Sequence, residues 1–207
     1  MSDRLGSVLI VGKESYICFK ICERLSVEGQ EVITLGYEAS KYAKTIAWNR
    51  RSYISTKTAC RELLRTSSLP TEIFIFFGPK YEEIFPTLTT HKIDEIIDGE
   101  IKAIVHLIQE LYRKIIEEGA NTSLYFISMR AHDPRQQLSH AVSMGIKAYC
   151  QALMNSELAL YMLGFELEGS DEDGFVDYIL KVTAEHTEKK RNSWFTYPKP
   201  GLFSGRH

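Results

Sequence analysis

Neither sign of charge dominates this chain: 25 lysines and arginines stand against 27 acids, a net charge of −2. That balance removes the electrostatic case for nucleic acid or for an anionic membrane surface. The basic residues are also dispersed, the longest run being Lys189-Lys190-Arg191 in a solvated loop. Cysteine is scarce. The four (Cys18, Cys22, Cys60, Cys150) form no Cys-x-x-Cys pair and no ligand cluster with histidine, so no metal site is expected. Cys18 and Cys22 share a helical face and read as small core residues. No apolar run approaches the ~18 residues of a membrane span, and no signal-peptide pattern opens the sequence. Internal repeats and low-complexity linkers are lacking too. What remains is an ordinary globular composition, 44% hydrophobic and 25% charged over 207 residues. It predicts one domain, 1–207, of a reduced, cytoplasmic protein.

The chain alternates strand and helix signals. Ser7 to Gly12 is a short apolar run ending in glycine, the pattern of a strand buried on both faces. Ile17, Ile21 and Leu25 mark an amphipathic helix over 15–28, closed by Gly29, and 31–35 reads as the second strand. Tyr53-Ile54 reads as a short strand, 58–65 as a short helix and 71–77 as a buried strand ended by Gly78-Pro79. A long periodic helix is expected over 94–118, with its stop at Gly119, then a strand at 124–127. A second long helix is expected over 138–163, with Met162 to Glu168 as the sixth strand, a helix over 174–186 and a last strand at 194–197. Such alternation predicts an α/β fold: a doubly wound parallel sheet in three layers, α/β/α, with right-handed crossovers.

Within the second long helix stands Ser143-Met-Gly-Ile-Lys147, followed by Ser156-Glu157-Leu158-Ala159. This segment resembles the Tyr-x-x-x-Lys helix of the short-chain dehydrogenases/reductases, and the chain resembles the ketoacyl-carrier-protein reductases among them. Residues four apart lie on one helical face, which is why that family spaces its tyrosine and lysine so. The resemblance implies a Rossmann-like domain, with the tyrosine as general acid or base and the lysine lowering its pKa while gripping the nicotinamide ribose. Lys147 matches; Ser143 stands at the tyrosine. The family's asparagine aligns with Glu100, and its catalytic serine with Met129, Ser128 lying one residue early.

The dinucleotide positions that the resemblance implies are also altered. The family's Gly-x-x-x-Gly-x-Gly reads here Gly12-Lys13-Glu14-Ser15-Tyr16-Ile17-Cys18. Tyr16 is expected to occupy space meant for a pyrophosphate, and Glu14 places a negative charge at the helix N-terminus. Leu35-Gly36-Tyr37, with Glu38 beyond, supplies no acid for a ribose 2′-hydroxyl. Ser55 aligns with the aspartate near the adenine, and Ile75-Phe76-Phe77-Gly78 with Asn-Asn-Ala-Gly. Gly12, Lys13, Gly78 and Lys147 are the residual cofactor candidates. The substrate-covering segment after the sixth strand is nearly absent.

Three functions stay open. The first is a catalytically degenerate relative, a pseudoenzyme with no cofactor that acts by binding. It would form a homodimer, or a heteromer with an active paralogue, through helices 94–118 and 138–163. The apolar Ile93, Ile96, Val105, Tyr112 and Ile116, off the main stripe of the first helix, carry that expectation. The second is a divergent NAD(P)-dependent short-chain reductase. The third is a non-redox enzyme built on Ser143, His140 and Lys147. His132-Asp133, beside a proline, reads as a turn.

Overall fold

The computed structural model describes residues 6–12, 15–36, 42–66, 68–78, 88–129, 136–156 and 159–198. Its strands are β1 (Ser7–Val11), β2 (Glu31–Leu35), β3 (Lys44–Ile46), β4 (Glu72–Phe77), β5 (Ser123–Met129), β6 (Tyr161–Leu167) and β7 (Ser193–Tyr197). The helices are α1 (Tyr16–Val27), α2 (Tyr53–Thr66), α3 (Thr90–Ile97), α4 (Ala103–Glu118), α5 (Gln137–Ser156) and α6 (Glu172–Glu185). All seven strands are parallel, in the order β3-β2-β1-β4-β5-β6-β7. The order reverses direction at β1, so the crevice of a doubly wound sheet falls at the carboxyl ends of β1 and β4.

Alternate strand residues feed two cores. Leu9, Val11, Ile73, Ile75, Phe77, Leu124 and Phe126 pack under α2, α4 and α5. Val8, Ile10, Phe74, Phe76, Tyr125 and Phe165 pack under α1 and α6. Strands buried on both faces account for the unbroken apolar runs. Ser15 caps α1, its hydroxyl accepting the Cys18 N–H, and Gly119 closes α4 at a φ of 62°.

Four expectations are corrected. Tyr53-Ile54 opens α2 instead of forming a strand, and the third strand is the three-residue β3. The helix expected over 138–163 ends at Ser156, because Tyr161, Met162 and Leu163 already pair with β5. The stretch expected as a regular helix over 94–118 is helical throughout, but it begins four residues earlier, as α3 behind its cap Thr89, and passes through a π-helical turn over 98–102 before α4. Of its off-stripe residues, Ile96 is fully buried and Ile116 alone is exposed. Lys13, Glu14, Tyr37, Glu38, His132 and Asp133 lie outside the described residues.

Candidate functional site

At the carboxyl ends of β4 to β7, register lays Phe77, Ser128, Glu166 and Thr196 side by side. Their shared face is the one that α5 covers, because a parallel register keeps partnered side chains on one side of the sheet. Ser128 is buried inside β5, and Met129, at the family's serine position, belongs to the opposite core.

Lys147 comes down from α5 onto this row. Its Nζ donates to Glu166 Oε2 at 2.6 Å and lies 5.3 Å from the centroid of the Trp194 ring. The two side chains are only 16% and 8% exposed. A buried carboxylate requires a partner, and here the lysine is that partner. Ser143, one turn earlier, is buried, whereas His140 is exposed. Among the described residues no hydrogen bond joins Ser143, His140 and Lys147, so the expected triplet is not assembled.

Glu100 sits on the π-helical turn, 4% exposed. Arg50, from the turn after β3, reaches its Oε2 at 3.5 Å, an ion pair longer than a hydrogen bond. The Arg50 guanidinium lies 5.4 Å from the centroid of the Trp48 ring, and Trp48 Nε1 donates to Thr56 Oγ1 at 3.0 Å. Trp48 therefore fills the space behind β2, against Gly36, whose φ of 67° brings the backbone close. Ser55 is elsewhere: it stands on the first turn of α2 and its hydroxyl accepts the Asn49 N–H. The residues that actually follow β3 are Ala47, Trp48 and Asn49.

The surviving glycines have packing reasons. A Cβ on Gly12 would stand 2.7 Å from Phe76 Cβ, and one on Gly78 would stand 2.8 Å from the Met129 carbonyl oxygen. Cys18, at the family's third glycine, is buried between α1 and the sheet, its thiol pKa raised by a hydrogen bond with Cys22 and by burial. The Tyr16 ring, expected over the first turn, leans towards α6 instead. Its hydroxyl donates to Asp173 Oδ1 at 2.8 Å and so ties the start of α1 to the start of α6 along the carboxyl edge. That hydrogen bond raises the Tyr16 pKa. The connection from β6 to α6 is only residues 168–171. Among the described residues there is no group of three or more His, Cys, Asp or Glu side chains placed to hold a metal ion, and no helix is long and apolar enough to cross a membrane.

The sequence reading missed Glu166, Arg50, Trp48, Trp194 and Asp173. Glu166 carried a signal: it is a lone acid in an apolar strand, on the face of Met162 and Gly164, where an unpaired carboxylate is costly.

No family model matches the chain, and no curated protein matches it in sequence. Solved structures do match in shape. A metagenomic short-chain oxidoreductase in complex with NADP superposes with a TM-score of 0.77 at 14% identity, over 95% of this chain and 98% of its own. A short-chain dehydrogenase from Leptospira borgpetersenii with bound NAD+ gives 0.76 at 12% identity, over 92% and 90%. An actinorhodin polyketide ketoreductase variant with NADPH gives 0.72 at 11%, over 95% and 97%. At these identities the likeness is one of fold, and the fold is that of the short-chain dehydrogenases/reductases.

Proposed function

We propose that the protein keeps this fold without its redox chemistry and acts by binding, as a scaffold or partner subunit. The observation that carries the reading is the Lys147–Glu166 pair, with Nζ and Oε2 2.6 Å apart. A lysine neutralised by a buried carboxylate is poorly placed to acidify a neighbouring hydroxyl or hold a ribose. No phenol stands at Ser143 for it to act upon, and a serine hydroxyl is far too weak an acid for the proton donor's role.

The residues at the crevice do not fit a dinucleotide well. Phe76 closes on Gly12, Met129 on Gly78, and the Ser15 hydroxyl already occupies one of the N–H groups at the start of α1. The short 168–171 connection leaves little chain to cover a substrate and exclude water.

The second reading, a divergent NAD(P)-dependent reductase, is favoured by solved neighbours that hold NADP or NAD+ and match this chain over nearly their whole length. Thermal unfolding with each cofactor separates the two. A ligand at 100 times its Kd stabilises by about 2.7 kcal/mol. We expect no rise in Tm with NADH or NADPH at millimolar concentration. A rise of several degrees with either would overturn the proposal in favour of the reductase.

The binding surface we assign to this function is the outer side of α4 and α5. Ala141, Met144, Gly145, Ala148 and Ala152 are exposed along α5, and Ile116 along α4. Such low relief lets a second helix pair approach closely, and a second copy of this chain satisfies it by two-fold symmetry.

A further inference from the structure

Helices α2 and α4 pack side by side, and a groove of about 410 Å³ runs between them. Lys57, Cys60, Arg61 and Leu64 line it from α2, at the spacing of one helical face. Glu110, Arg113 and Lys114 line it from α4 in the same way. Four cations thus meet one carboxylate. The lining starts a full turn into α2, away from the carboxyl edge where the crevice lies.

Half of these cations are already matched. Glu110, only 6% exposed, accepts from the Tyr53 hydroxyl at 3.0 Å and from Arg113. Lys114 donates to Glu117 at 2.6 Å. Lys57 and Arg61 differ: among the described residues neither has a carboxylate partner, and Lys57 Nζ lies 4.6 Å from the centroid of the Tyr53 ring. Like charges four apart on a helix repel, so an anion between these two stabilises the helix that carries them. Lys57 is half-buried and Arg61 exposed, so a ligand reaches both. The Cys60 thiol is pushed up to about 12 by burial and then by Glu110, which keeps it protonated and unreactive. The groove is therefore built to bind and not to react.

We propose that this groove binds the dianion of a phosphomonoester or of free phosphate between Lys57 and Arg61. The Arg61 guanidinium suits two phosphate oxygens at once, and Lys57 adds a point charge. Two unmatched cations call for two negative charges, which a phosphomonoester approaches at neutral pH and a phosphodiester or a carboxylate does not. The volume falls within the range of small-ligand sites. Leu64 also lines the next hollow, of about 310 Å³, with Ser68, Leu69, Glu118 and Ala120, which gives a short organic group a place to lie.

Backbone amide spectra of the nitrogen-15-labelled protein test this. Inorganic phosphate at low ionic strength should shift the amides of α2 and α4 around Cys60 and Arg113 saturably. Dimethyl phosphate, a monoanion, should bind about tenfold more weakly. Lys57→Gln/Arg61→Gln should weaken phosphate by roughly tenfold or more, with circular dichroism unchanged. Lys181→Gln, which removes one exposed charge from α6, should leave the affinity as it is. Hexyl phosphate distinguishes the source: tighter binding than phosphate assigns an ester whose organic part lies over Leu64, and equal or weaker binding assigns free phosphate. No saturable shift on α2 and α4, or equal binding by dimethyl phosphate or by the double variant, would overturn the proposal. Shifts confined to the start of α1 would overturn it too, and would place the phosphate in the crevice, as the reductase reading requires.

Discussion

Lys147, which the sequence resemblance aligns with a catalytic lysine, directs its charge at a strand residue, Glu166, from which it is 2.6 Å away. At 16% and 8% exposure the two charges are both largely removed from water, so each depends on the other. Lys147→Met should therefore destabilise the fold by about 3 kcal/mol, because it strands a buried carboxylate. The double variant Lys147→Met/Glu166→Leu should recover most of that loss. Urea unfolding of the three proteins measures it, and a single variant as stable as the parent would show the pair to be incidental. The same residue shows where sequence reasoning stops: spacing identifies the lysine, but the partner that redefines it is 19 positions away, on another element.

Gly12 lies between β1 and α1 and has two possible reasons to be glycine, a phosphate or a packing contact. Its missing Cβ would stand 2.7 Å from Phe76 Cβ, an atom fixed to the backbone of β4. Gly12→Ala should therefore lower stability by about 1–3 kcal/mol with no nucleotide present, as overpacking does. A thermal melt of the apo protein that matches wild type would restore the phosphate reading. At the start of α6, the Asp171 carboxylate accepts the Gly174 N–H at 3.0 Å and the Tyr197 hydroxyl at 2.7 Å. The backbone bond first, then the tyrosine, hold its pKa below the ordinary 3.8. A depressed folded pKa means that the stabilisation is present above the unfolded value and is lost as pH falls through the folded one. Asp171→Ala should therefore lower Tm by a few degrees at pH 7, and the gap should narrow as the medium is acidified below pH 3.8. A gap that persists unchanged in acid would assign the effect to helix propensity instead of the charge.

For the molecule as a whole, the proposed binding role assigns association to the outer face of α4 and α5. Tyr112, a natural target from the sequence, is half-buried against the core, so a charge there would disturb folding itself. Ile116 and Met144, 49% and 46% exposed, are better placed. Light scattering at micromolar concentration should give a dimer mass for the parent and a monomer mass for Ile116→Glu/Met144→Glu, with far-ultraviolet circular dichroism unchanged. A parent that is already monomeric would remove self-association and leave only pairing with a different subunit.

The sequence by itself determined the alternation of elements, the parallel sheet buried on both faces, the helix stop at Gly119, and the placing of Lys147 on a long helix. Each of these is written in local periodicity or in a single residue's backbone preference, and local order survives without knowledge of the fold. It misjudged the stretch from Ser156 to Leu163, where alanine, leucine and methionine favour a helix but β5 offers strand pairing. It also gave too little signal for the three-residue β3. Only the tertiary structure decided the partners: Glu166 and Trp194 beneath Lys147, Arg50 beside Glu100, and Asp173 against Tyr16. Those contacts join residues far apart in the chain, and the chemistry of a charged or polar group is set by what packing places beside it.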